Sequence, residues 1–103
     1  MKNGRPEMFE VNIDSPGLSI DGLNYECERI SEIVNDRLIQ QQSNKKHRDQ
    51  RQLLNPVKVY IDEIFTMSTG YERITLGVNS SCKIAMDVQK MLREKGYVVG
   101  ELK

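Results

Sequence analysis

The chain has 103 residues, of which 38% are hydrophobic and 29% are charged. This length is typical of one domain, and with four tyrosines, two phenylalanines and no tryptophan its core must be mainly aliphatic. Fifteen basic residues balance fifteen acidic ones, which excludes an attraction of the whole molecule to nucleic acid or to an anionic membrane.

The sequence also bears on the cellular location. No apolar run has the length of a membrane span, and residues 1–7 carry charges without the apolar segment of a secretory signal. The two cysteines lack CxxC spacing, which favours free thiols in a reducing compartment. These features predict a cytoplasmic protein.

The first predicted elements are a tail and a strand. Residues 1–7 contain glycine and proline among polar residues, which predicts a flexible N-terminal tail, and residues 8–103 are predicted to form a single domain. Residues 9–13 alternate apolar and polar side chains, which indicates a half-buried strand. Leu18 and Ile20 then indicate a short returning strand.

A helix of about 20 residues is predicted next, capped by Asp21 or Asn24. Its apolar residues recur at steps of three and four, so they share one face that packs on the core. This stripe consists of Leu23, Cys27, Ile30, Val34 and Leu38. Residues 44–56 form a basic polar connection, which either extends the helix or contains a short second one.

The second half of the chain predicts a β-hairpin, a helix and a closing strand. Residues 57–62 and 74–78 alternate in polarity around a glycine-containing turn, and residues 79–81 offer three successive helix N-caps. Gly96 is placed as a left-handed C-cap, and residues 97–99 form the last strand. The core stripe of this helix consists of Ile84, Ala85, Val88, Met91 and Leu92.

The predicted order of elements is therefore β-α-β-β-α-β. With right-handed crossovers, this order produces a four-stranded antiparallel sheet with two helices on one face. The predicted fold class is an α+β two-layer sandwich of the ferredoxin-like βαββαβ type. Because that arrangement supports many unrelated functions, the functional argument must rest on particular surfaces.

The candidate catalytic motifs are incomplete. Residues 77–83 occupy the position of a phosphate-binding loop, but Cys82 replaces the second glycine and Ile84 replaces the serine or threonine that holds magnesium. Cys82 is a candidate nucleophile in the first turn of a helix, yet its only potential base is His47 and no third residue orients either one. We therefore predict no catalytic residue, with a Cys82-dependent enzyme as the third-ranked reading. No residues have metal-site spacing, so no metal or cofactor is predicted.

RNA recognition on the open face of the sheet is also disfavoured. RNA-binding sheets of this topology stack bases on aromatic residues of the two central strands. The corresponding positions here are Glu10, Asn12, Arg73 and Thr75, with Tyr71 only at the hairpin end. The aromatic signature is missing.

The charges are unevenly distributed along the chain. Residues 1–36 hold three basic and eight acidic residues, whereas residues 37–60 hold six basic residues and one acidic residue. The remainder is balanced. This polarity predicts one acidic and one basic surface.

The acidic surface is the outer face of the first predicted helix. Glu28, Glu32 and Asp36 are four residues apart and form what we call the acidic ridge, with Tyr25 and Ile39 on the same outward face. These five residues predict a docking site for a partner protein with a basic, apolar-rimmed surface. The alternatives are a solvated face with two scattered apolar residues, or an apolar pair that residues 44–54 cover.

The basic surface lies at the connection between the first helix and the hairpin. The predicted topology brings this connection close to the start of the second helix, where backbone N–H groups favour anions. The candidate anion-binding or nucleic-acid-binding residues are Lys45, Lys46, Arg48, Arg51, Ser80, Ser81 and Lys83. The alternative is a solvated connecting loop.

The function predicted from these surfaces is that of a small non-catalytic module that binds another protein. Its size and charge polarity fit a regulator or inhibitor, including one encoded by a virus or mobile element. Binding of nucleic acid or a phosphate ligand at the basic segment is the alternative. The open sheet face offers a place where two copies of the chain could associate.

Overall fold

The computed structural model describes residues 6–14, 17–43 and 56–103, and the side chains of these residues apart from 42 and 43. Its elements are β1 (Glu7–Ile13), α1 (Ile20–Ser43), β2 (Val59–Thr66), β3 (Glu72–Val78), α2 (Cys82–Glu94) and β4 (Val98–Val99). The prediction of an α+β chain with a four-stranded antiparallel sheet and two helices is confirmed. The question of whether residues 44–54 are helical lies outside the described residues.

The four strands pair in the spatial order β2-β3-β1-β4, and each neighbouring pair is antiparallel. β1 lies inside the sheet and pairs with β3 along its whole length, from Glu7 opposite Val78 to Ile13 opposite Glu72. β4 pairs with β1 through two residues only. β2 and β4 are therefore the two edges of the sheet.

One face of the sheet and both helices enclose a single aliphatic core. Phe9 and Val11 of β1 and Ile74 and Leu76 of β3 are fully buried. The same cluster contains the α1 residues Leu23, Cys27, Ile30 and Val34 and the α2 residues Ala85, Val88 and Leu92. Both helices consequently pack on the same face of the sheet. The predicted stripe residues Leu38, Ile84 and Met91 are only partly buried, at the margin of this core.

The start of α1 differs from the prediction. Ser19 caps the helix, because its Oγ accepts a hydrogen bond from the N–H of Gly22 at 3.0 Å, and its carbonyl accepts one from Leu23 at 2.9 Å. The prediction of Asp21 or Asn24 as the cap was wrong. The prediction of a returning strand was also wrong, since Ile20 is the first residue of the helix. Once Ser19 occupies the cap, Ile20 continues the helical spacing of the core stripe rather than an alternating pattern.

The beginning of β1 and the middle of β2 also depart from the predicted pattern. Glu7, which was assigned to the tail, pairs with Val78 and is the first residue of β1. In β2 a bulge falls between Ile61 and Glu63, so Asp62 has no partner on β3. Because the extra residue reverses the alternation, Ile64 rather than Glu63 lies opposite the core residue Ile74.

The ends of α2 follow the prediction closely. Ser81 is the N-cap, and its Oγ accepts a hydrogen bond from the N–H of Ile84 at 3.3 Å. At the other end Gly96 has a φ of 103°, which a glycine adopts without strain. Gly96 and Tyr97 donate to the carbonyls of Arg93 and Leu92 at 3.0 and 3.2 Å, which is the hydrogen-bond pattern of a Schellman motif.

The core assignment predicts large effects at two positions. Leu76→Ala and Leu92→Ala should each lower the free energy of unfolding by about 2–5 kcal/mol, because each removes fully buried methyl groups and leaves a cavity. Urea denaturation measures both effects. The exposed control Lys90→Ala should change stability by no more than about 0.5 kcal/mol. Small and equal effects at all three positions would contradict the packing of α2 on β3.

Candidate functional site

Two polar side chains of α1 hold this helix against the main chain of the β2 region. The N–H of Val59 donates to Ser31 Oγ at 2.9 Å, and Ser31 Oγ donates to the carbonyl of Cys27 at 2.8 Å. Asn35 forms a two-way bridge with Val57, accepting from its N–H at 2.7 Å and donating to its carbonyl at 2.9 Å. Together with the buried core stripe, these bonds fix the rotation of α1 about its axis.

This rotation turns the five predicted partner-binding residues away from the core. The side chain of Glu32 is 72% exposed, and Tyr25 is 58% exposed. Glu28 and Asp36 are also exposed, whereas Ile39 is half-buried. Members of the acidic ridge follow one another at intervals of about 6 Å along the helix axis. The outer face of α1 therefore presents three carboxylates in a row beside an exposed aromatic ring.

Within the part of the chain that the structure describes, the acidic ridge has little pairing with positive charge. Arg29 approaches Glu32 at 4.0 Å, but both side chains are more than half exposed, and such surface pairs contribute about 0–1 kcal/mol. Within residues 6–14, 17–43 and 56–103, Glu28 and Asp36 form no ion pair. Glu26, on a different face of α1, pairs with Lys95 at 3.5 Å. Among the described residues, the ridge carboxylates are thus countered only by the weak pair with Arg29.

A second feature is a cleft of about 390 Å³ between the C-terminal half of α1 and the start of α2. Its lining includes three of the predicted anion-binding residues, namely Ser80, Ser81 and Lys83. Arg37 lies opposite them on α1 and was not predicted as a site residue. The other predicted cations, Lys45, Lys46, Arg48 and Arg51, lie outside the described residues.

The cleft combines an apolar wall with two cations. Val34, Leu38 and Ile84 supply the apolar lining. The positive charges of Arg37 and Lys83 are partly offset by the carboxylate of Asp87 in the same lining. The cleft therefore offers two cations and one carboxylate beside an apolar wall. Arg37 follows the core residue Val34 by about one helical turn, but the sequence alone carries no signal that places it beside α2.

The two cysteines have opposite environments. Cys27 is only 1% exposed, and burial, with smaller contributions from Glu26 and Glu28, raises the pKa of its thiol to about 12. Cys82 is exposed at the start of α2, and both cysteines are free thiols. His47 lies outside the described residues. Within the described ranges, no group of three or more histidines, cysteines and carboxylates could hold a metal ion.

The open face of the sheet is dominated by ion pairs at its centre. Glu10 of β1 is bonded to Lys103 at 2.7 Å and lies 3.9 Å from Arg73. The hydrogen bond from Lys103, reinforced by both positive charges, lowers the pKa of the Glu10 carboxyl. Nearer the β2 edge, the ring of Tyr60 covers Gly77, where an added Cβ would overlap it.

Comparison with known proteins identifies no relative of this chain. No family model, curated protein or solved structure matches the chain. Among the residues that the structure describes, no helix is long and apolar enough to cross a membrane.

The cysteine environments predict two different reactivities toward a disulfide reagent at pH 8. Cys82 should react rapidly in the native protein because it is exposed. Cys27 should react only as the protein unfolds, because it is buried. In addition, the pH of the assay lies well below the thiol pKa of about 12, so little reactive thiolate is present. The absorbance of the thiol released from the reagent follows both reactions. A Cys82→Ser variant that keeps a rapidly reacting thiol would contradict this assignment.

Proposed function

We propose that this chain is a small non-catalytic module that docks a basic partner protein through the acidic ridge and Tyr25 on the outer face of α1. The observation that carries the proposal is the combination of Tyr25, 58% exposed, with three carboxylates that lie on the same outward face. A tyrosine ring provides a large contact area with a polar end, and such residues are enriched at protein interfaces.

The electrostatics of the ridge support this proposal and favour a basic partner. Acids four residues apart on a helix repel one another by about 0.2–0.5 kcal/mol per pair, which is a cost in the free protein. A cationic partner surface would relieve this repulsion and would also accelerate association at low salt. The ridge thus costs stability in isolation and gains its advantage in a complex.

The wider setting forms part of the same proposal. We infer that the sheet order and the two helices represent the ferredoxin-like arrangement, supported by the element order β-α-β-β-α-β. A reducing compartment such as the cytoplasm is supported by the two free cysteines. In such a setting, a small docking module fits a regulator or inhibitor of its partner.

Charge reversal on the ridge tests the proposal. Glu32→Lys should weaken binding of the partner at least tenfold, which corresponds to about 1.4 kcal/mol, because it places a cation against the basic surface. Tyr25→Ala should also weaken binding but leave its salt dependence unchanged, since it removes apolar contact. The partner is first captured from nuclease-treated lysate and identified, and its Kd for each purified variant is then measured by calorimetry.

Matched controls keep this test specific. Glu94→Lys changes the net charge equally at an exposed position of α2, and Met86→Ala removes an apolar side chain that is 57% exposed. Both controls should bind the partner as the wild type does. Equal affinity of the wild type, Glu32→Lys and Tyr25→Ala would remove the outer face of α1 from the binding site.

A second candidate function is binding of a phosphate group in the cleft, and the cleft itself favours it. Arg37 and Lys83 lie around a volume of about 390 Å³ at the start of α2, where the helix dipole attracts anions. The phosphate could belong to a nucleic acid or to a small ligand. Both sources share the requirement for these two cations.

The salt dependence of DNA binding tests this second candidate. Each phosphate contact contributes about 0.9 to the slope of log affinity against log salt on duplex DNA. Replacing both Arg37 and Lys83 by Gln should therefore lower the slope by about two, as measured by fluorescence anisotropy. A control that replaces the exposed Lys58 and Lys90 by Gln should leave the slope unchanged. Absence of binding at low salt, to DNA and to inorganic phosphate alike, would contradict the candidate.

A further inference from the structure

The edge strand β2 has two halves with different surroundings. Near its start, the outward-facing main-chain groups of Val57 and Val59 are bonded to Asn35 and Ser31 of α1. Lys58, which lies between them, faces β3 instead, since its carbonyl accepts a hydrogen bond from the N–H of Asn79 at 3.2 Å. This end of the edge is covered.

Among the described residues, none covers the other half of β2 in this way. At the hairpin end the N–H of Met67 donates to the carbonyl of Tyr71 at 2.8 Å, so Met67 faces β3. Because hydrogen-bonding direction alternates along an antiparallel strand, Phe65 also faces β3, whereas Ile64 and Thr66 direct their N–H and C=O groups outward. No side chain of the described residues bonds to these outward groups.

The open half of the edge is also apolar. Ile64 is 45% exposed and Phe65 is 49% exposed, and they lie on opposite faces of the strand because they are consecutive. An added strand could therefore contact one apolar side chain on each face while it bonds to the main chain. Proteins usually blunt such an edge with charges or bulges, and β2 has both just before this point, at Asp62 and Glu63.

The charges around the open half decide between two possible occupants. Asp62, Glu63 and Glu72 are acidic, and the only cation in the paired segments 62–66 and 72–75, Arg73, lies 3.9 Å from Glu10. A second copy of the chain would bring the same acids to the seam, and like charges across paired strands are destabilising. An extended segment with lysines or arginines would instead be attracted.

We propose that the open half of β2 accepts an extended basic segment of a partner protein as an additional strand of the sheet. The segment bonds to the main chain of Ile64 and Thr66, which supplies affinity. Its cationic side chains lie beside Glu63 on the open face, and its apolar side chains contact Ile64 on the helix-facing side. This site is separate from the acidic ridge and does not depend on the function proposed for it.

The test uses a synthetic seven-residue peptide of alternating lysine and valine, with blocked ends and a fluorescent label. Fluorescence anisotropy measures its Kd for the full chain, and amide hydrogen exchange measured by NMR locates the site. A peptide with glutamate in place of lysine controls for charge. Two further versions of the lysine peptide are N-methylated, one at its lysines and the other at its valines. Each version therefore lacks the main-chain donors of one edge, and together the two versions test both possible pairing edges.

Two variants of one residue separate main-chain pairing from side-chain contact. Ile64→Pro removes the outward N–H, which edge strands tolerate, while Ile64→Thr removes similar apolar area but keeps the N–H. Ile64→Pro should bind the lysine peptide about tenfold more weakly than Ile64→Thr. The wild type should show slowed amide exchange at Ile64 and Thr66, and Glu32→Lys should leave peptide binding unchanged.

Several results would overturn the proposal. These are absence of binding of the lysine peptide, equal binding of the glutamate peptide, or binding of both N-methylated versions as tight as that of the unmethylated lysine peptide. All three measurements use the wild-type chain and therefore stand even if Ile64→Pro fails to fold. A dimer in sedimentation that Ile64→Pro dissociates would show that a second copy, and not a basic segment, occupies the edge.

Discussion

The bonds from Ser31 and Asn35 to the main chain of Val57 and Val59 are the constraint on which both proposed surfaces depend. A helix that packs only by apolar contacts can rotate slightly over a sheet, because such contacts have little directionality. Three hydrogen bonds to one strand remove that freedom. They fix the outward face of α1, which carries the acidic ridge, and they close one half of the β2 edge while leaving the other half accessible.

The same bonds show why neighbouring polar residues of α1 have different structural roles. Asn35 and Asp36 are adjacent in sequence, but Asn35 satisfies buried main-chain groups whereas Asp36 is exposed. Loss of Asn35 would leave the N–H and C=O of Val57, a residue only 4% exposed, without this partner, which is costly. The residues that hold the surface in place are therefore distinct from the residues that form it.

Much of the fold could be predicted because its signals are local. The spacing of Leu23, Cys27 and Ile30 identifies the inner face of α1, and Gly96 marks the end of α2 by its own backbone preference. The bulge at Asp62 and the bonds from Ser31 and Asn35 could not be predicted, because they join residues 22 or more positions apart or depend on the register of two strands. The ridge residues were predictable as a group because they share one helix. Arg37 was not, because its place in the cleft requires the packing of α1 beside α2.

The position of β1 has a consequence for the order in which the molecule assembles. β1 is made early, but it lies between β3 and β4, and Glu10 bonds to Lys103, 93 positions later. Synthesis proceeds from the N-terminus, so the apolar face of β1 stays without its neighbours until most of the chain has left the ribosome. Contacts of such high sequence separation slow folding. Phe9 and Val11 of β1 are thus made well before the strands β3 and β4 that flank them in the sheet.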